Sequence, residues 1–298
     1  MKNVFNMKHL AAATLSIILA GIATTSNVFA DDCSSGAICR YDEQPGSYSR
    51  NGPYRVSNYN LRGTPGGATV YYPSNAQPPF AGLVFCPPFT GVQYMYRDWG
   101  PFFASHGIVL VTMDSRTTMD SVDQRANQQQ QVVDVLMAEN NNRNSPLYGK
   151  LDNSRIGVTG WSMGGGATWI SASEKNGLRT AMSLAGHNLT AVDVDSKGRN
   201  IRIPTLIMNG ATDVTILGGL GQSIGVYNAI PNNVPKAIYE TAGSGHFVWG
   251  GPTAAGSAVG ELALAFQKTF LEGDTRWARY IKRPTGNVAT WRSANIPN

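Results

Sequence analysis

A short apolar strand that runs directly into a glycine-flanked serine constrains the fold of this chain more than any other feature. Residues 155–166 read RIGVTGWSMGGG, and the small and apolar residues that follow predict a helix over 163–173. A residue at such a sharp strand-to-helix turn has a strained backbone, and its neighbours two positions away must be small for the helix to approach the strand. Gly160 and Gly164 meet this requirement around Ser162. The alternative is an ordinary glycine-rich turn without chemistry, but the strand before it and the helix after it favour a reactive serine.

Strand-like and helix-like segments alternate along the rest of the chain, which predicts an α/β fold. Strands are predicted at 55–61, 68–72, 80–86, 108–113, 155–159, 180–184, 205–208 and 237–240, and helices at 121–140, 163–173 and 253–270. This alternation is typical of a mainly parallel central sheet with helices on both faces. In the helix over 121–140, the glutamines at 128–131 are expected to face water. No long linker divides the chain, so residues 31–298 are predicted to form a single domain, with the tail over 274–298 packed against its body.

The first 30 residues have the pattern of a secretory signal peptide. Two lysines precede an almost wholly apolar run over 10–23, which is shorter than the roughly 20 residues of a membrane-spanning helix. Val28 and Ala30 are small residues at the −3 and −1 positions of a predicted cut. A retained membrane anchor is the alternative, but polar residues end the apolar run early. Cleavage after Ala30 would give a secreted chain of residues 31–298 without stable membrane insertion.

The composition argues against two classes of protein. Hydrophobic residues make up 42% of the chain, which is too many for a disordered protein. The 24 basic and 19 acidic side chains give a net charge of +5, and the predicted signal cleavage leaves 22 basic against 19 acidic residues. Because the basic residues are scattered and form no run, nucleic acid is not an expected partner.

Three cysteines suit an exported protein better than a metal protein. In an oxidising compartment, Cys33 and Cys39 could close a small loop near the mature N-terminus. Cys86 lies in an apolar strand and is predicted to be a buried free thiol. Close pairs of Cys or His with the spacing of metal ligands do not occur in the sequence, so neither a metal nor a cofactor is expected.

A serine hydroxyl is a weak nucleophile and needs a general base, for which residues 31–298 offer three histidines. In the arrangement that uses the G-x-S-x-G turn, the acid follows the serine and the histidine follows the acid. His246 fits best, because it lies in a glycine-rich loop after the last predicted strand, at the sheet edge where ligands bind. His187 leaves little chain for an intervening acid. His106 precedes the serine and is expected to cap a helix.

The acid that would orient this histidine is predicted to be Asp213. It follows the apolar strand over 205–208 and therefore comes at a carboxyl strand end, between the nucleophile and the base in chain order. The other acidic candidates lie in a polar loop, after His246, on a helix face or within a strand, and they are Asp193, Asp195, Asp274, Glu174 and Glu240.

Two backbone N–H groups are expected to form an oxyanion hole. One belongs to the residue after the nucleophile, Met163, and the other to the loop after the strand over 80–86. That loop begins with Pro87 and Pro88, which have no N–H, so Phe89 is its first residue able to donate.

Taken together, these motifs resemble the polyesterase–lipase–cutinase group of bacterial α/β-hydrolases. The similar strings are GWSMGGG at 160–166, WGP at 99–101, ASHGIV at 104–109, PTLI at 204–207 and GDTR at 273–276. The resemblance covers nearly all of residues 31–298 and implies the α/β-hydrolase fold. It also implies Ser162, Asp213 and His246 as nucleophile, acid and base, and Phe89 and Met163 as oxyanion donors. Phe89 and Trp161 would shape the acyl cleft, with Trp249 a further aromatic candidate there.

The sequence departs from the pattern of this group at several positions. The aromatic residue of the oxyanion loop is often Tyr in the group and is Phe89 here. Where the group often has Trp after the strand that follows the elbow, this chain has His187. A histidine there could bind a polar or acidic group of the substrate, or lie at the rim with no specific role. The group's disulfide near the C-terminus is absent, because no Cys follows Cys86.

The motifs and the resemblance predict a secreted serine carboxylic-ester hydrolase that forms an acyl-enzyme with an ester-containing small molecule or polymer. One alternative keeps the same triad but cleaves the amide bonds of polyanionic poly-amino acids such as poly(aspartic acid). A second alternative, from a different class, is a non-catalytic secreted binding protein on the same fold.

Overall fold

The computed structural model describes residues 33, 35–46, 48–187, 194–213 and 219–298. The predicted signal peptide and its cleavage site therefore lie outside the described residues. Across the described ranges, every helix is too short or too polar to cross a bilayer.

The strands observed in the structure match the predicted strands to within a few residues, apart from a strand near the C-terminus. They are β1 (Val56–Asn60), β2 (Ala68–Pro73), β3 (Phe80–Cys86), β4 (Val109–Met113), β5 (Leu151–Trp161), β6 (Leu178–Leu184), β7 (Thr205–Gly210), β8 (Lys236–Thr241) and β9 (Val288–Ala294). β9 belongs to the tail, which was predicted only to pack against the body. It pairs in antiparallel register with β8 and so forms one edge of the sheet.

The α-helices fill the connections between the strands. They are α1 (Trp99–Ser105), α2 (Val122–Glu139), α3 (Met163–Glu174), α4 (Val194–Asn200), α5 (Gly219–Ala229), α6 (Ser257–Gln267) and α7 (Ala278–Lys282). A π-helical turn, Lys268–Glu272, continues α6. α2 begins with a capping box, in which the Ser121 hydroxyl accepts from the Gln124 N–H and the Gln124 side chain accepts from the Ser121 N–H.

The strands of the described chain form one sheet in the order β1-β2-β4-β3-β5-β6-β7-β8-β9. The six central strands are parallel, and they are β4, β3, β5, β6, β7 and β8. The strands outside them, β1, β2 and β9, pair in antiparallel register. The carboxyl ends of the parallel strands therefore meet at one edge of the sheet. This arrangement confirms the predicted α/β-hydrolase fold with a mainly parallel sheet.

Both faces of the sheet are covered. Side chains alternate across β3, so that Val84 and Cys86 pack in one core and Leu83 and Phe85 in the other. Helices α2, α3 and α5 contribute to the first core, and α1 and α6 to the second. Continuous apolar strands such as β3 are expected for a parallel sheet that is buried on both faces. Cys86 is a buried free thiol, as predicted, and burial raises its pKa to about 12.

The prediction that the glutamines of α2 face water was wrong for two of them, because Gln128 and Gln129 are buried. The Gln129 amide donates to the Thr159 carbonyl at 2.8 Å and accepts from the Ser171 hydroxyl at 2.8 Å. Fully hydrogen-bonded polar groups can be buried at small net cost. The side chain of Gln129 thus joins α2 to β5 and α3.

The segment before β1 contains the disulfide Cys33–Cys39, which closes a small loop as the sequence suggested. A buried ionic cluster holds this segment against the body. Glu43 contacts the Nδ1 of His106 and lies 2.7 Å from the Nζ of Lys268. Lys268 is also 2.9 Å from Glu272, which pairs with Arg40 at 3.3 Å. Burial raises the pKa of Glu43, but the charge of Lys268 and the hydrogen bond to His106 together outweigh it, so its pKa lies below the ordinary value.

Candidate active site

The serine of the glycine-rich turn lies at the carboxyl end of β5, immediately before α3. Its φ of 59° and ψ of −120° belong to the left-handed half of backbone space, which is strained for a residue with a side chain. A Cβ on Gly160 would lie 2.3 Å from the carbonyl oxygen of Gly164, and one on Gly164 would lie 2.1 Å from that of Cys86. Only glycine fits at these two positions, so the packing of the turn explains the spacing of the motif.

The structure brings Ser162, His246 and Asp213 together in one hydrogen-bonded series. The Nε2 of His246 is 2.8 Å from the Oγ of Ser162, and its Nδ1 is 2.9 Å from the Oδ2 of Asp213. All three residues are at least nine-tenths buried. A buried hydroxyl, imidazole and carboxylate in this order can move a proton from the hydroxyl to the ring while the carboxylate stabilises the resulting cation.

Loops at the carboxyl ends of β7 and β8 position Asp213 and His246. Thr212 joins the two loops, because its N–H and its hydroxyl both bond to the carbonyl of Ser244, at 3.0 and 2.7 Å. The indole N–H of Trp161 donates to the carbonyl of His246 at 2.9 Å and fixes that loop to the end of β5. The position of His246 thus depends on three neighbouring strand ends.

The other acidic residues considered for the role of Asp213 do not contact His246 in the described part of the structure. Asp274 forms a buried ion pair with Arg276 at 2.6 Å. Glu174 pairs with Lys197 at the surface. Asp193 lies outside the described residues, and the side chain of Asp195 is likewise not described.

The loop that carries Phe89 lies beside the turn that carries the serine. Cys86 and Gly160 are register partners on the neighbouring strands β3 and β5, so the segment after Cys86 begins next to the turn. Met163 is the first residue of α3, and the N–H groups of a first helical turn have no partner within the helix. The two N–H groups predicted as oxyanion donors thus belong to adjacent segments.

A buried arginine that the sequence analysis did not single out holds the Phe89 loop in place. Arg125 lies in the first turn of α2 and is fully buried. Its guanidinium donates to the carbonyls of Pro87 at 3.2 Å and Thr118 at 2.8 Å, and to the hydroxyl of Ser115 at 2.6 Å. The Thr118 carbonyl in turn accepts from the N–H of Thr90 at 2.9 Å. One side chain therefore anchors both ends of the 87–90 segment.

His187 also reaches the serine. Its Nε2 lies 3.0 Å from the Oγ of Ser162, and its ring centroid lies 5.3 Å from that of His246. The pKa of His187 is lowered to about 4, mainly by burial and also by the nearby imidazole of His246, while Asp213 opposes the shift. His187 is therefore neutral at neutral pH. His106, by contrast, ends α1 and is buried in the Glu43 cluster.

The aromatic residues near the site differ in exposure. Trp161 and Trp249 are buried, whereas Phe89 is 39% exposed. Phe247 directly follows His246 in the chain and is 81% exposed, and the two rings form an edge-on pair with centroids 5.2 Å apart. Phe247 was not among the predicted cleft residues, although its place next to His246 in the sequence was a signal. Phe89 and Phe247 are therefore exposed aromatic side chains on loops next to Ser162 and His246, where an incoming apolar group could contact them.

The only group of potential metal ligands found in the described ranges is Cys33, Cys39 and Asp274. Both sulfur atoms of this group already form the disulfide, so it offers no thiolate to an ion.

A strained serine on such a turn, with an imidazole and a carboxylate in series, is the arrangement typical of serine hydrolases with the α/β-hydrolase fold. A family model described as PET hydrolase-like matches residues 46–295. The chain belongs to this PET hydrolase-like family.

Characterised relatives have comparable length and carry the names of ester hydrolases. Cutinase 2 of Thermobifida cellulosilytica is 32% identical over 238 residues, which cover 78% of this chain and 86% of the relative. Cutinase cut1 of Thermobifida fusca is also 32% identical over 238 residues, covering 78% and 70%. Bis(hydroxyethyl) terephthalate hydrolase of Streptomyces coelicolor is 30% identical over 255 residues, covering 83% and 77%. The protein is thus an enzyme of the serine hydrolase type that acts on carboxylic esters.

Proposed function

We propose that this enzyme is a secreted esterase that hydrolyses ester-containing small molecules and polyesters through Ser162, His246 and Asp213. The observation that carries the proposal is the continuous series of hydrogen bonds from the serine Oγ through the imidazole to the carboxylate, at 2.8 and 2.9 Å. The relatives named cutinase and bis(hydroxyethyl) terephthalate hydrolase support a polyester as one substrate class.

The geometry supports a two-step reaction. The Oγ of Ser162 attacks the ester carbonyl while the Nε2 of His246 takes its proton, and the N–H groups of Phe89 and Met163 stabilise the oxyanion. The imidazolium then gives the proton to the departing alcohol, which leaves an acyl-enzyme. Water, deprotonated by the same imidazole, attacks the acyl carbon and restores the serine. Asp213 holds His246 in the tautomer with the proton on Nδ1 throughout.

Two features of the N-terminal region support secretion. Residues 1–30 have the charge and apolar pattern of a signal peptide, with a predicted cut after Ala30. The disulfide Cys33–Cys39 directly follows, and disulfides persist mainly in oxidising compartments. The functional enzyme would then be one domain of residues 31–298.

Exposed aromatic side chains beside the site support an apolar substrate. Phe89 and Phe247 would contact the acyl chain or the aromatic unit of a polyester, because aromatic side chains bury a large apolar area per residue. Trp161 would shape the inner wall of the cleft.

The decisive experiment replaces the nucleophile. Ser162→Ala should lower kcat on p-nitrophenyl butyrate by roughly 10⁴- to 10⁶-fold, because the covalent step is lost while binding remains. An unchanged melting temperature would show that the variant is folded. A fluorophosphonate probe should label the wild type and not the variant. Retained turnover in the variant, or an unlabelled wild type, would contradict the proposal, and the second result would favour a non-catalytic binding protein.

A substrate panel separates ester from amide hydrolysis. We expect release of product from p-nitrophenyl esters and from a polyester film, and none from poly(aspartic acid) at the same pH and enzyme concentration. The opposite pattern would favour the amide hydrolase, which uses the same three side chains.

A further inference from the structure

Two imidazoles contact one hydroxyl in the described structure. The Oγ of Ser162 lies 2.8 Å from the Nε2 of His246 and 3.0 Å from the Nε2 of His187. The proposed reaction uses only the first of these contacts, and the second engages the same reacting atom.

The direction of every hydrogen bond in this group follows from Asp213. A carboxylate accepts and does not donate, so the Nδ1 of His246 must carry a proton toward Asp213. The Nε2 of neutral His246 is then an acceptor, and it takes the hydroxyl proton of Ser162. Because the hydroxyl has only one proton, its remaining contact can form only if the Nε2 of His187 donates to the Oγ lone pair.

The surroundings of His187 favour the same tautomer. Its side chain is almost fully buried, and its Nδ1 has no hydrogen-bond partner among the described residues. A proton on Nδ1 would be a buried donor without an acceptor, whereas a proton on Nε2 has the serine oxygen. The burial that lowers the pKa of His187 to about 4 keeps the ring uncharged beside His246.

The backbone fixes His187 relative to the serine. The N–H of Ser162 donates to the carbonyl of Leu184 at 2.9 Å, and the N–H of His187 donates to the carbonyl of Ser162 at 3.2 Å. The intervening Ala185 has a φ of 44°, which turns the chain back toward the serine. A Cβ on Gly166 would lie 2.3 Å from the carbonyl of His187, so the third glycine after the serine makes room for this segment.

We propose that His187 is a further catalytic residue whose Nε2–H group donates to the Oγ of Ser162 in the transition states of acylation and deacylation. The inference rests on the proposed function. As His246 removes the hydroxyl proton, negative charge develops on Oγ, and a fixed donor strengthens its hydrogen bond with that charge. When the acyl-enzyme is hydrolysed, the Oγ–carbon bond breaks and charge returns to the same oxygen.

His187 neither gains nor loses a proton in this scheme. In acylation, the Oγ–carbon bond forms, the bond to the alcohol oxygen breaks, and the serine proton reaches the alcohol through His246. In deacylation, a water proton reaches Oγ through His246, and the water oxygen remains on the acyl carbon. The oxyanion donors serve the carbonyl oxygen, and His187 serves the serine oxygen.

A pair of matched substitutions tests this role. His187→Leu removes the donor at similar size, and we expect kcat/KM to fall about tenfold, the value of one hydrogen bond in the transition state. His187→Gln keeps an amide donor and should remain within about threefold of the wild type. The loss in His187→Leu should be the same for p-nitrophenyl acetate, p-nitrophenyl butyrate and bis(hydroxyethyl) terephthalate, because the donor contacts the enzyme's own oxygen. Burst-phase kinetics should show acylation and deacylation both slowed.

Three outcomes would overturn the inference. They are unchanged kinetics in His187→Leu, equal losses in His187→Leu and His187→Gln, and a loss confined to one substrate, which would make His187 a substrate-binding residue. None of them affects the Ser162→Ala result, so failure of this inference is distinguishable from failure of the proposed function.

A spectroscopic measurement on the wild type tests the tautomer of His187 and does not depend on the folding of a variant. In ¹⁵N-labelled wild type at pH 7, the ring nitrogen shifts of His187 should identify the neutral tautomer with the proton on Nε2. A proton on Nδ1, or a charged ring, would overturn the inference even where the kinetics agree.

Discussion

Two buried pairs of histidine and carboxylate lie at opposite ends of the parallel strands. His246 and Asp213 lie on the loops that follow the carboxyl ends of β8 and β7. His106 contacts Glu43 and lies between the end of α1 and the start of β4. Viewed as isolated pairs they are alike, because in each an imidazole Nδ1 faces a buried carboxylate oxygen.

The third partners distinguish the two pairs. At the carboxyl edge, the other ring nitrogen of His246 meets the hydroxyl of Ser162, which can react. At the opposite edge, the Nε2 of His106 meets the carbonyl of Arg50, and Lys268 neutralises the carboxylate of Glu43. A histidine–carboxylate pair therefore indicates catalysis only when the imidazole also reaches a nucleophile, and otherwise it joins chain segments.

The largest effect that this comparison predicts is on turnover at the carboxyl edge. Asp213→Asn should lower kcat/KM on p-nitrophenyl butyrate by about 10³- to 10⁴-fold, because an amide no longer enforces the Nδ1–H tautomer of His246. We expect the melting temperature to change little, as the substitution preserves shape. A variant that unfolds, or one with near-normal kcat/KM, would break the comparison.

The corresponding substitution at the opposite edge should have the reverse effect. Glu43→Gln leaves Lys268 without one of its two buried carboxylates, and we expect a loss of about 3 kcal/mol in the free energy of unfolding. That corresponds to a fall of roughly 6–12 °C in melting temperature for a domain of this size. Kinetics measured well below the melting temperature should match the wild type. A selective loss of kcat in a stable Glu43→Gln enzyme would contradict this assignment.

His187 is the third buried histidine, and its Nε2 contacts a hydroxyl and not a carboxylate. We expect it to have a smaller effect, on the pH dependence of stability. Burial lowers the pKa of His187 from 6.5 to about 4, so in this pH range the unfolded chain binds a proton that the folded chain does not. The free energy of unfolding should therefore fall as the pH drops from 6.5 to 4, by roughly 2–3 kcal/mol from this residue. Urea titrations at pH 7 and pH 4.5 should show a smaller fall for His187→Gln than for the wild type. Equal falls would contradict the lowered pKa.

The sequence predicted the elements whose signals are local. The central strands are continuous apolar runs, and the turn that carries Ser162 has a steric requirement that only glycines meet. The order of serine, acid and histidine, each near a strand end, was enough to name three side chains that the fold brings within hydrogen-bond distance.

The features that the sequence did not predict depend on distant partners. β9 is half exposed and lacks a regular apolar alternation, and it becomes a strand because β8 offers an unpaired edge. Gln129 reads as a surface residue until the carbonyl of Thr159 is placed beside it. Glu43 and His106 are 63 residues apart in the chain, and neither has a local signal for the other.

The guanidinium of Arg125 has a consequence for how the enzyme responds to its medium. Its described hydrogen bonds are donated to three backbone carbonyls and one hydroxyl. None of these four acceptors titrates. An arginine also keeps its charge at every pH at which the protein is folded. Because Arg125 is fully buried, dissolved salt screens these contacts little. The hydrogen bonds that Arg125 makes to the 87–90 segment should therefore change little with acidity or ionic strength.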